Sequence, residues 1–143
     1  MNSTKEEIRG ALEEVRKEHS KLDALWSMIR AYRGLMWIKE WDPKVGKWRM
    51  IVFSQGYANM LLGDLPVSVY EGRLDAEFWD QVTADTFEIN DHIALSEGFN
   101  DEVTEPFYSP HTKLSGVFKG EKWSFSENEK MYVCGRGKVE LDV

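Results

Sequence analysis

Cysteine is almost missing from this chain, with Cys134 the only one among 143 residues. One thiol excludes an intrachain disulfide and any multi-cysteine zinc centre, and leaves a buried structural thiol as the expected role. Long apolar runs are missing as well. No stretch of about 18 apolar residues occurs, and the polar N-terminus has no secretory h-region. A reducing, cytoplasmic setting is therefore expected. Positive charge is scarce in the middle of the chain. Between Asp64 and Glu105 the only basic side chains are Arg73 and His92, among a dozen carboxylates, and the net charge is -7. Such a face repels phosphates and anionic headgroups, because binding them relies on lysine and arginine displacing counterions. Nucleic acid and membrane surfaces are set aside as partners; a basic partner, or no charged partner, fits better.

Aromatic residues are abundant instead, at 13% with six tryptophans. Large rings add much apolar area per residue and favour sheets, where they fill a core or line a cavity. The length suits one domain, and hydrophobic and charged fractions of 42% and 30% give an ordinary globular balance.

Ser3-Thr4-Lys5-Glu6 has the form of a capping box. Behind it Ile8, Val15, Leu22 and Ile29 recur every seven residues, with Leu12 and Trp26 filling between. The spacing predicts an amphipathic helix over about residues 4–32, interrupted in its stripe by Glu18 and His19. The stripe needs a partner, either its own domain or a second chain. Leu35 to Trp41 and Lys47 to Phe53 then read as a β-hairpin around Asp42-Pro43-Lys44-Val45-Gly46. Ser54 can cap a short helix through Tyr57 and Leu62, ended by Gly63. Asp75 can cap another holding Phe78 and Trp79, and a longer helix fits from Thr83 to Glu97, closed by Gly98. Glu102 to Ser109, Leu114 to Phe125 and Lys130 to Leu141 read as three more strands, the last two joined by Ser126-Glu127-Asn128-Glu129. The fold class expected is α+β with an antiparallel sheet.

Three stretches carry a family likeness. Gln55-Gly56-Tyr57-Ala58-Asn59-Met60-Leu61-Leu62-Gly63 follows the second strand. Tyr70-Glu71-Gly72-Arg73-Leu74-Asp75 precedes Phe78-Trp79, with Ala84, Phe87, Asn90-Asp91 and Gly98 beyond. Glu105, Lys122-Trp123-Ser124-Phe125 and Tyr132-Val133-Cys134-Gly135-Arg136-Gly137 close the chain. In order and spacing they resemble the PAS domains found ahead of histidine-kinase and other signalling outputs. Gln55 departs from the usual Asn or Ser. The resemblance covers about residues 35–143. It implies a five-stranded sheet in the order 2-1-5-4-3, with helices on one face, preceded by the amphipathic helix of residues 1–33. It does not imply a ligand.

The resemblance further implies a sensory domain that binds a small ligand or a protein partner and transmits through dimer geometry. The alternatives are a ligand-free interaction module and a small metal-dependent enzyme; no catalytic residue or metal ligand is assigned. Haem-binding members use a histidine on the long helix, but His92 does not fall at that position and Phe87 stands near it. The light-sensing Gly-x-Asn-Cys-Arg-Phe motif is absent. No haem or flavin signature is present, so a cofactor stays undetermined. By position, Met50, Val52, Tyr57, Phe87, His92, Tyr108 and Trp123 are the pocket candidates, with core packing as the plain alternative for each. Ile8, Leu12, Val15, Leu22, Trp26 and Ile29 are the dimer-helix candidates. Asp75, Glu77, Asp80, Asp85, Glu88 and Asp91 are expected to form a solvated acidic face. An output would lie in a longer chain or act in trans.

Overall fold

Period-two alternation and turn chemistry generate the sheet. A computed structural model of the chain describes residues 4–10 and 21–142. Strands β1 (Leu35–Asp42) and β2 (Lys47–Phe53) form the expected hairpin, whose turn uses Gly46 at φ +65°. Strands β3 (Phe99–Tyr108), β4 (Ser115–Glu127) and β5 (Lys130–Leu141) complete it. Asn128 and Glu129 both take positive φ, the geometry of a tight two-residue hairpin turn between β4 and β5. All strand pairs are antiparallel, and the sheet order is β2-β1-β5-β4-β3, as expected.

The helical layer follows β2. Ser54 Oγ accepts from the Tyr57 amide at 3.1 Å, capping α2 (Gln55–Tyr57), which runs on into a π-turn over Ala58–Leu62. Beyond a 3-10 turn (Val67–Val69) come α3 (Asp75–Phe78) and α4 (Gln81–Glu97). Helix α4 starts two residues earlier than expected, because Asp80 rather than a later residue accepts from the Thr83 amide at 2.9 Å. The cap of α3 also differs from expectation. Leu74 holds that position, the Glu77 carboxylate accepts from its amide, and Asp75 is free to turn inward.

These helices cover one face of the sheet, over a core of Trp37, Met50, Phe53, Tyr70, Phe78, Trp79, Phe107 and Phe118. Two glycines make that layer possible. A Cβ on Gly135 would collide with the Trp37 ring, and one on Gly137 with the Lys119 carbonyl and the Phe118 ring, so bare backbone leaves the room both rings take up.

The opposite face is covered by α1 (Lys21–Ala31), which sets Leu22, Leu25, Trp26 and buried Ile29 against Met36, Ile38, Val52, Tyr132 and Cys134. Leu22, Trp26 and Ile29 therefore have a partner within their own domain. Residues 5–10 are helical, with Thr4 Oγ1 accepting from the Glu7 amide, and Ile8 is exposed. Ser3, Leu12 and Val15 lie outside the described residues.

Candidate functional site

Strand alternation decides which side chains enter the space between sheet and α4. On β1, Leu35, Trp37 and Lys39 face inward, while Met36 and Ile38 face α1. On β4 the same alternation turns Phe118 and Lys122 inward and Trp123 and Phe125 outward. Two lysines thus project into the interior.

They meet three carboxylates. Lys39 Nζ donates to Asp75 Oδ2 at 2.8 Å and to Asp91 Oδ2 at 3.0 Å. Lys122 Nζ donates to Asp91 Oδ1 at 2.8 Å and to Glu105 Oε2 at 2.7 Å. Asp91 on α4 therefore bridges β1 to β4. At the ends, the Tyr70 hydroxyl donates to Asp75 Oδ1 at 2.6 Å and the Asn90 amide to Glu105 Oε2 at 3.0 Å. The Phe87 ring lies 4.9 Å from Lys39 Nζ and 5.3 Å from Lys122 Nζ, stacking its electron-rich face on both cations. Lys39, Lys122, Asp91 and Glu105 are all at 1% exposure or less.

Burial alone opposes each charge, and the partners overcome it. Desolvation works against the Lys39 ammonium, yet Asp75 and Asp91 hold its pKa well above the ordinary lysine range. Desolvation likewise works against the Asp91 carboxylate, but Lys122 and Lys39 keep its pKa below the usual carboxylate value. Tyr70 is raised by burial and then by the neighbouring Asp75 charge. Both shifts favour the charged forms of Lys39 and Asp91.

The expected solvated acidic face needs correction here. Glu77 and Asp85 are exposed and Glu88 is partly so, but Asp75 and Asp91 are buried within the ion cluster. The reason is position: Asp91 lies on the sheet side of α4, and Asp75 opens a helix whose cap is supplied by its neighbours. Lys39, Lys122 and Glu105 were not expected at the site. Each sits in a segment read as a strand, and only the pairing of the strands shows that its side chain turns inward.

The pocket candidates separate into three groups. Met50, Tyr57 and Phe87 come together around the central cavity, with Trp37, Lys39, Tyr70, Trp79 and Glu105. Val52 and Trp123 face the other way, beneath α1. A bulge between Ile38 and Lys39 skips Ile51 in the β1–β2 register, so Met50 and Val52 end on opposite faces despite their spacing. His92 and Tyr108 are exposed; His92 packs against Trp41 and lies 3.6 Å from Glu88. Rings and ion pairs leave the cavity only about 20 Å³, room for about one water.

Elsewhere, Cys134 is fully buried, and desolvation pushes its thiol up to about 12. Among the described residues no group of three or more His, Cys, Asp or Glu side chains could hold a metal ion, and no helix is long and apolar enough to cross a membrane.

No protein-family model matches the chain, and no curated protein sequence does. In solved structures it is similar to the PAS domain of an HTR-like protein from Haloarcula marismortui. The TM-score is 0.54 at 11% identity, over 95% of this chain and all of that one. At that identity the likeness speaks for the fold. The chain has a PAS-like α+β fold: a five-stranded antiparallel sheet in the order 2-1-5-4-3 with its helical layer.

Proposed function

We propose that this chain is a signal-input module of the PAS kind, in which a change at the charged interior reaches α1 through strand β1. The observation that carries the reading is the two-sided role of that strand. Trp37 and Lys39 belong to the interior, while Met36 and Ile38 form the seat of α1. A shift of Lys39 along the strand must move Ile38, because close-packed side chains transmit displacement rather than absorb it. Helix α1 is then the bistable element, and the stripe beginning at Ile8 carries its movement into pairing with a second copy. Output would come from a protein or domain joined in cis or acting in trans.

The near-filled cavity favours input by a partner or a very small ligand over a bulky cofactor in this packing. Hydrogen exchange on Glu105→Gln, which loosens the cluster without touching α1, tests the relay. Faster exchange over residues 21–31 than in the unmodified chain is expected. Exchange unchanged there but faster in α4 would refute it. Light scattering on the full chain tests the pairing, with a dimer expected and Ile8→Glu reducing it to monomer. A monomer at the outset removes that part.

A further inference from the structure

One carboxylate of the ion cluster serves two elements at once. Asp75 Oδ2 accepts from Lys39 Nζ at 2.8 Å, and Asp75 Oδ1 accepts from the Tyr70 hydroxyl at 2.6 Å. Tyr70 is fully buried, its ring stacked on Phe78 with centroids 4.7 Å apart. The next residue turns the other way. Glu71 Oε1 accepts from Arg30 Nη2 at 2.9 Å, and Arg30 stands in the last turn of α1, on the opposite face of the sheet.

Residues 70–74 therefore pass around the outer edge of β2. A short rung fastens them there. The Gly72 amide donates to the Met50 carbonyl, the Met50 amide donates to the Arg73 carbonyl at 3.0 Å, and Leu74 bridges to Arg49. Beside Arg30 in the sequence is Ile29, fully buried in the apolar cluster that also holds Ile38, the neighbour of Lys39 on β1. Lys39 thus reaches one turn of α1 by two routes. The first runs through Ile38 to Ile29, and the second through Asp75, Tyr70 and Glu71 to Arg30.

We infer that residues 70–74 are a strap that fixes the last turn of α1 according to the state of Asp75, which deepens, and rests on, the signalling role given to α1 above. While Lys39 and Tyr70 both hold the carboxylate, Glu71 is presented to Arg30 and α1 is gripped at two consecutive residues. When Lys39 withdraws, the carboxylate turns, the Tyr70 bond is lost and Glu71 retreats from Arg30. The step between Tyr70 and Glu71 is covalent: they share one planar peptide unit, so a displacement of the buried residue moves its exposed neighbour. The coupling is reciprocal, since whatever draws Arg30 off Glu71 also loosens the hold of Tyr70 on Asp75.

Hydrogen exchange on the full chain reads the strap, with α1 amides measured relative to those of β4 in the same variant. Glu71→Gln should speed exchange in the last turn of α1 about two- to fivefold, the scale of one partly exposed ion pair. Tyr70→Phe keeps the ring, removes the hydroxyl and should speed it by a similar factor. The double variant should exchange no faster than the faster single one, because both changes open the same contact. Glu71→Gln also tests the link from its other end, without touching a buried residue. The Trp79 amide, which donates to the Asp75 carbonyl at 2.8 Å, should exchange faster together with α1. An unchanged ratio of α1 to β4 in Tyr70→Phe, strict additivity, or a Glu71→Gln that loosens α1 and leaves Trp79 alone would each overturn the inference. Glu105→Gln separates the strap from the relay through β1. If α1 responds to Glu105→Gln but not to Tyr70→Phe, the relay stands and the strap falls; the reverse pattern keeps the strap and removes the relay.

Discussion

Lys122→Met tests whether the buried ion cluster holds α4 to the sheet. Methionine has nearly the length and volume of lysine without its charge, so little cavity is created and the loss is electrostatic. In the native chain Lys122 Nζ lies 2.8 Å from Asp91 and 2.7 Å from Glu105, with its side chain fully buried. After substitution Asp91 keeps Lys39, but Glu105 is left with only the Asn90 amide. Stranding one member of a buried pair costs about 3–5 kcal/mol, which for a domain of this size lowers Tm by roughly 6–20 °C. Urea unfolding followed by tryptophan fluorescence reads the change as a lower midpoint at unchanged slope. The double variant with Glu105→Gln removes the stranded carboxylate as well. It should lose less than the two single losses added together, by about 0.5–3 kcal/mol. A single loss below about 1 kcal/mol, or strict additivity, would refute the reasoning.

Two further outcomes follow from the same chemistry. Because the Asp91 pKa is lowered on folding, its contribution is fully present above the unfolded value near 3.9 and is lost as pH falls through the lower folded value. Urea midpoints should therefore drop below about pH 4, less steeply in Asp91→Asn; an identical acid slope in the variant would exclude the cluster as the acid-sensitive element. Lys39 acts in the opposite sense, its contribution being complete below the unfolded value near 10.4 and lost as pH rises through its raised folded value. Cys134, buried and pushed up to about 12, should resist a disulfide reagent at pH 8 in the native chain and react readily in urea. Immediate stoichiometric labelling of the native chain would contradict its burial.

Much of the fold was legible along the chain because its signals are local. The Asp42–Gly46 turn, the Ser54 cap and the Gly98 terminus each act within a few residues, and the structure keeps them; alternation in Lys47–Phe53 holds only as far as the bulge at Ile51. The site was less legible. Val52 and Trp123 were assigned by position along the chain, whereas their direction is set by strand register and by one bulge. Lys39 and Lys122 look like solvated charges until the sheet is paired, since lysine is seldom buried without a partner.

By itself the sequence determined the five strands and the long helix before β3, their order, and the surplus of negative charge in the middle of the chain. Tertiary structure alone decided which face each strand residue takes and which carboxylates leave water. It also closed the cavity down to the size of one water. The physical reason is range: turns, caps and periodicity are set by neighbours a few residues away. A buried charge is tolerable only where Asp75, Asp91 and Glu105 converge on Lys39 and Lys122 from distant parts of the chain.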